Sequence, residues 1–216
     1  LVAGLVKKIR IAFDNSFSPA LAEHFARENN STAQRQYKDV GRSVFMLFVL
    51  LGGTLTLASK FILGIYGPEF EKYWTVVPIL IAGRLVNGAG GTAQAALLMA
   101  GRSKLELGNN ILINLGNIAL NMVLIPQYNV FGAAIATSIS LTVFNLTRIL
   151  EVRVLLKLRV SISEVLRVGS AGAIAASPGL AVFLILGVDQ GTSLFSGLVF
   201  AVLYFPVLAL IGGKRG

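Results

Sequence analysis

Six apolar blocks of about twenty residues, each closed by charge, glycine or proline, decide what this chain can fold into. They run from Ser43 to Leu63, Trp74 to Met99, Leu107 to Pro126, Val130 to Leu150, Leu166 to Gly187 and Ser193 to Gly212. A helix rising 1.5 Å per residue needs roughly 20 residues to cross about 30 Å of hydrocarbon, so each block is one crossing. With 55% hydrophobic and 13% charged residues and a mean hydropathy of +0.74, the chain lies well outside the soluble range of about half apolar and a quarter charged. The expectation is an all-α, multi-pass transmembrane helix bundle of about six spans. Its organisation reads as a polar, cytoplasmic-side segment with the end of a preceding helix (1–42), four spans (43–155), and two additional spans (156–216). The first residues, LVAGLVKKIR, carry neither an initiator Met nor the apolar core of a signal peptide. The chain is therefore read as the carboxyl-terminal part of a longer one.

Charge gives the orientation. Residues 1–42 hold seven Lys and Arg, the 102–104 link holds Arg102 and Lys104, and the 150s link holds Arg153, Lys157 and Arg159, with Arg148 and Arg167 at its flanks. The alternate links hold only Lys72. Positive charge stays on the cytoplasmic side during insertion, so both ends are expected in the cytoplasm. The same distribution explains most of the net charge of +9 without nucleic acid, which needs a basic face with groove-reading or aromatic elements on a soluble domain. Membrane lipids are the expected partner of the basic links.

Several spans are built from small residues. Gly132, Ala136 and Ser140 lie four apart on one helix face, and Gly169, Ala173 and Ser177 repeat the pattern. Such faces let backbones approach where no hydrophobic force draws helices together. Pro78, Pro178 and Pro206 fall inside spans, where each removes a backbone donor and favours a static bend or a hinge.

The third span, NNILINLGNIALNMVLIP, carries five asparagines. At about 100° per residue, Asn110, Asn114, Asn117 and Asn121 fall within a sector roughly 60° wide, with Asn109 off it near the basic end. Two surroundings satisfy such a stripe: a neighbouring helix that exchanges hydrogen bonds, or a watery cavity whose ligand carries hydroxyls, which uncharged amides suit. Arg84 lies midway along the second span, too deep to reach headgroups easily, and these spans place no acid at its depth. It calls for an anion such as a phosphate, for backbone carbonyls, or for an acid elsewhere in the full chain. Asn87, three residues on, shares its face. Arg148, at a span end, is expected to snorkel to headgroups.

No carboxylate pair, His–acid pair, metal-ligand cluster or activated nucleophile is visible, and cysteine is absent. The chain is read as no enzyme, with no cofactor and no metal.

The segments FSPALAEHF, ILGIYGPEF, LLMAGRSK and LNMVLIPQYNVFGAAIATSIS resemble the polysaccharide (O-antigen or lipid-linked oligosaccharide) flippases of the multidrug, oligosaccharidyl-lipid and polysaccharide exporter superfamily. The pattern LIP-x-Y-x-x-x-GAA-x-AT-x-x-S at Leu124 to Ser140 carries most of the likeness. The family has glycine after the tyrosine where this chain has Asn129, which also adopts left-handed turns. The resemblance covers about residues 15 to 155, and the last two spans resemble the pair appended in longer members. It implies two facing lobes around a cavity opening alternately to each side of a prokaryotic plasma membrane, with this chain supplying most of the second lobe and an N-terminal lobe of the same chain opposite. It further implies movement of a lipid-linked oligosaccharide, with Arg84 meeting the diphosphate and the asparagines the sugar. A multidrug exporter or a lipid-linked peptidoglycan-precursor exporter of the same superfamily is the alternative. A non-transporting membrane assembly subunit is another, in which the asparagines only lock helices together.

Overall fold

The computed structural model describes residues 30–90 and 92–212. The segment 14–29, including FSPALAEHF, and the tail Lys214 and Arg215 lie outside the described residues. Among the described residues the chain forms eight helical segments and no strand: α1 (Asn30–Leu57), α2 (Ser59–Gly64), α3 (Pro68–Glu71), α4 (Val76–Ala89), α5 (Ala93–Met99), α6 (Ser103–Leu155), α7 (Ile162–Leu186) and α8 (Gln190–Gly212). Four helices are long and apolar enough to cross a membrane, and the bent pair α4 and α5 makes a fifth. The 53 residues of α6 would reach about 80 Å if straight, far beyond one bilayer. They hold two helical arms, 103–128 and 130–155, folded back at Asn129, whose φ of 50° and ψ of −126° interrupt the helix. Six crossings result, in the order expected.

The central mast is α1. Ala33, Tyr37, Val40, Val44 and Phe48 are all buried and recur every three or four residues, the period that brings side chains onto one helix face. Val40, Val44 and Phe48 pack with Leu85 of α4, while Ala33 and Tyr37 pack with Ala93, Ala96 and Leu97 of α5 and Val152 of α6. A second face, through Phe45, Val49 and Leu57, meets Val168, Ala171 and Ala175 of α7 and Phe200, Tyr204 and Leu208 of α8. This periodicity explains why the helix is already formed ahead of Ser43. Hydropathy sees charges at 35, 38, 39 and 42, but the buried face runs between them.

Backbone breaks are sealed by neighbouring side chains, as a low-dielectric surrounding requires. At the joint between α1 and α2, Ser193 of α8 donates its hydroxyl to the Leu57 carbonyl at 2.6 Å. Where α4 turns by 45° into α5, the buried Tyr37 hydroxyl donates to the Gly90 carbonyl at 3.1 Å. Gly67 takes φ 116° before α3 and is followed by Pro68 at the first helical position, which suits a residue lacking a donor. Pro78 likewise lies in the first turn of α4, where the missing N–H has no helical acceptor, so it bends nothing.

The small-residue faces divide. Gly132, Ala136 and Ser140 are buried, and a Cβ on Gly132 would stand 2.1 Å from the Leu124 carbonyl oxygen across the turn. On α7, by contrast, Ala173 and Ser177 are exposed. The packed face there is Val168, Ala171, Gly172, Ala175 and Gly179, with Gly172 against Val49 and Gly179 against Ser196.

The links at 65–75, 128–130 and 187–189 gather at one end of the bundle. There Lys60 donates to the Val188 carbonyl and pairs with Glu71 at 3.5 Å, and Gln190 donates to Glu71 at 2.8 Å. Asp189 accepts from the Thr192 backbone N–H at 2.7 Å, and that bond, with the Thr192 hydroxyl, holds its carboxyl below its ordinary value of 3.8. The basic links gather at the other end.

Candidate functional site

The asparagines of α6 form a ladder. Asn121 donates to Asn117 Oδ1 at 2.9 Å, Asn114 to the Asn110 carbonyl at 2.7 Å, and Asn110 to the Glu106 carbonyl at 2.8 Å and to its carboxylate at 3.0 Å. Each reaches one turn back, four residues, which is the spacing that placed them on one stripe. Asn117 donates instead across the hairpin, to Ser140 Oγ at 3.1 Å. Much of the stripe's hydrogen-bonding is thereby satisfied within the hairpin, although Asn114 is exposed and Asn110, Asn117 and Asn121 are half-buried.

Below the ladder lies a charge pair that span boundaries concealed. Glu106 and Arg148 are both 3% exposed, joined by a salt bridge through Arg148 Nη2 and by Arg148 Nε donating to Glu106 Oε2 at 2.9 Å. The Phe144 ring stacks on the guanidinium at 3.5 Å, a cation–π contact strengthened by exclusion of water. One turn further, Asn109 donates to both oxygens of Glu151 at 2.8 and 2.7 Å. One sequence expectation is corrected here: Arg148 does not snorkel to headgroups but is buried against Glu106. The reason is the fold-back, which sets opposite each other residues at comparable distances from Asn129: Glu106 and Arg148 lie 23 and 19 residues from it, Asn109 and Glu151 20 and 22. Approximate reflection of the sequence about the turn is the signal that brings them near each other.

Arg84 and Asn87 occupy a different place. α4 packs on the second arm through Gly83, where a Cβ would lie 2.7 Å from Ser138 Cα, and through Ser138 Oγ donating to the Ile79 carbonyl at 2.6 Å. Ser138 and Ser140 are two residues apart and so point about 160° away from each other. The second arm therefore stands between α4 and the asparagine ladder, and the structure does not bring Arg84 and Asn87 together with Asn110, Asn114, Asn117 and Asn121. Arg84 is half-buried and Asn87 buried, and both make interactions within the lobe. By helical position Arg84 continues the row of Val77 and Leu80, one turn deeper. Val77 and Leu80, but not Arg84, wall a groove of about 650 Å³ whose mouth carries Tyr66, Phe70 and Tyr73. At the rim Lys72 donates to Glu69 at 2.5 Å, and this bond holds the Glu69 carboxyl below its ordinary value and the Lys72 ammonium above its own. Among the described residues no group of three or more His, Cys, Asp or Glu is placed to hold a metal ion.

A bundle of six crossings, with a hairpin that carries a polar seam and a groove with an aromatic mouth, defines a multi-pass membrane protein of helical-bundle architecture. No protein-family model matches the sequence. The chain is 32% identical over 143 residues to the probable flippase AglR of Haloferax volcanii, a match covering 64% of this chain and 28% of that protein. Its fold matches the lipid II flippase MurJ in an inward closed conformation with a TM-score of 0.72 at 15% identity, over 97% of this chain and 46% of that one. It spans less than half the length of either. The chain is thus similar in sequence to part of a probable flippase and shares its fold with part of a solved one.

Proposed function

We propose that this chain forms most of the carboxyl-terminal lobe of a flippase that moves a lipid-linked oligosaccharide across the cytoplasmic membrane by alternating access against an N-terminal lobe of the same protein. The observation that carries the reading is the likeness in sequence to a probable flippase over 143 residues. Within it, Arg84 and Asn87 serve the substrate: a guanidinium offers a planar donor fork to a diphosphate, and the groove beside it is apolar where a lipid-bearing headgroup must pass. The asparagine ladder serves the hairpin. Asn110, Asn117 and Asn121 satisfy and orient the first arm, and Asn114, the exposed member, is the one placed to meet a sugar hydroxyl.

The test is transfer of a lipid-linked oligosaccharide across vesicles by the full-length protein. Replacing Arg84 with Ala is expected to slow transfer about tenfold or more, the loss of one or two charge-assisted hydrogen bonds, with Arg84→Lys intermediate. Asn121→Leu is expected to lower protein level while transfer per molecule holds. Normal transfer by Arg84→Ala at normal protein level would sink the substrate role. The fold likeness to a lipid II flippase makes lipid II the second substrate to assay, and the preference between the two glycolipids decides the class.

A further inference from the structure

The groove at the aromatic end follows from the break in the first crossing. α1 stops at Leu57 and the short α2 and α3 carry the chain on, so that Leu63, Tyr66 and Phe70 form one wall of the groove. Val76, Val77, Leu80 and Ile81 of α4 form another, and Val130 beside the hairpin turn completes it. The α4 residues come in pairs one turn apart, which keeps them on one helix face. The space of about 650 Å³ is more than four times the cavity of about 150 Å³ that takes up benzene. Its chemistry is graded from end to end. The α4 wall is wholly aliphatic, whereas the mouth carries the Tyr66 and Phe70 rings, 6.4 Å apart, and one cation, Lys72. That ammonium gives one donor to Glu69 at 2.5 Å and lies 5.3 Å from the centre of the Tyr73 ring. An ammonium has three donors, so two are left for a ligand, while Glu69 already has its cation. The deep end of the groove is Ile81, which is 4% exposed. The same residue walls a second apolar cavity of about 370 Å³ between α1, α4 and α7, and no other residue lines both. A Cβ on Gly52 would lie 2.8 Å from Ile81 Cγ2, so the side chain rests on α1 at that glycine and partitions the two cavities.

We propose, building on the function inferred above, that this groove is a subsite for the lipid carrier of the substrate: its hydrocarbon chain lies along α4 as far as Ile81, and its phosphate takes the free donors of Lys72. An aliphatic groove offers no partner to a sugar hydroxyl, so the sugars stay at the mouth. There Tyr66 and Phe70, 55% and 56% exposed, present flat faces to the C–H faces of sugar rings. Phospholipid of the bilayer competes for the same space, because lipid tails are as apolar as the groove and gain nothing by leaving one for the other. Selection therefore comes from the mouth, and the partition at Ile81 sets how much of the chain is held.

The experiment places the full-length protein in phosphatidylcholine nanodiscs with one of two photoreactive probes and reads the labelled peptides by mass spectrometry. One probe is N-acetylglucosamine joined through a diphosphate to a long isoprenoid alcohol, the other is phosphatidylcholine, and each carries a diazirine in its chain. The sugar-bearing probe is expected to label residues 76–81, and an excess of its unlabelled form to suppress labelling there by the phosphatidylcholine probe. Lys72→Gln is expected to lower labelling by the sugar-bearing probe about fivefold, the upper end for one exposed ion pair. Labelling by phosphatidylcholine is expected to hold, a split that loss of folding does not produce. Ile81→Ala is expected to carry labelling on into the second cavity at Ala173 and Ala176, and Ile81→Val, gentler on packing, to do so in part. The proposal is overturned if phosphatidylcholine labels the groove undiminished by the sugar-bearing lipid, which would make the groove a place for bilayer lipid alone. It is overturned also if Lys72→Gln weakens both probes alike. Transfer across vesicles by the same protein separates this subsite from the function it builds on. Transfer without labelling of 76–81 sinks the subsite and leaves the flippase, whereas no transfer and no labelling at any position sinks both.

Discussion

At the scale of single residues, polar groups in this lobe are arranged to satisfy one another before they meet anything else. Interhelical hydrogen bonds in membranes contribute about 0.6 kcal/mol on average, the scale of the bond that Asn117 donates across the hairpin to Ser140, while the other bonds of the ladder stay within one helix. The Glu106–Arg148 pair weighs differently. Removing one member leaves a charge buried without its partner, at a cost of about 3–5 kcal/mol, whereas exchanging both for apolar residues of similar size is often neutral. Glu106→Leu is thus expected to destabilise the purified protein strongly, and Glu106→Leu with Arg148→Met to restore most of the loss. Thermal unfolding in detergent measures both, and a double variant as unstable as the single one would show that the pair does more than satisfy itself. Neither residue was legible as a partner from the sequence. Each looks like a span-end charge until Asn129 is known to be the fold-back point, and only then does the distance of each from 129 become informative.

At the scale of elements, hydropathy found the six crossings, because burial in hydrocarbon makes length and apolarity nearly sufficient. It missed where helices break. The joint at Ala58 and the bend between α4 and α5 each lie inside a single apolar block, and a hydroxyl on another helix, Ser193 or Tyr37, which no local window contains, caps the freed carbonyl. It also cut α1 short, since charges on one face hide the buried row through Ala33, Tyr37 and Val40. The hairpin turn was legible in kind but not in detail. Asn129 takes the positive φ expected of it, but a ψ of −126° puts it at the first corner of a type II′ turn rather than in the left-handed helical region. That corner favours glycine, and a side chain there costs about 1–3 kcal/mol. Asn129→Gly is accordingly expected to raise the melting temperature and Asn129→Ala to lower it. If Asn129→Gly proves less stable, the asparagine side chain contributes something that its backbone strain conceals.

At the scale of the molecule, the two ends of the bundle differ in chemistry, and the difference fixes how it sits in a membrane. One end carries Tyr66, Phe70, Tyr73, Trp74 and Tyr128 around the mouth of the groove, with Lys60 and Lys72 each paired to a glutamate. Aromatic rings of this kind settle at the headgroup level, and paired lysines contribute little to retention on one side. The other end carries Arg35, Lys38, Arg42, Arg102, Lys104, Arg153, Lys157, Arg159 and Arg167, with few acids between them. Since retention follows Lys and Arg near span ends, the basic end is expected to face the cytoplasm and the aromatic groove to open outward. Under the function proposed above, the groove would then be on the exit side, with Arg84 between it and the cytoplasm. Cysteine is absent from the chain, so a single introduced thiol reports its own side. In whole cells expressing a full-length protein without other reactive cysteines, a membrane-impermeant maleimide is expected to label Gln127→Cys directly and Lys157→Cys only after permeabilisation. Both positions are exposed, so failure to label cannot be put down to burial. The reverse pattern would overturn the orientation and, with it, the assignment of the groove as an exit, while leaving the fold untouched.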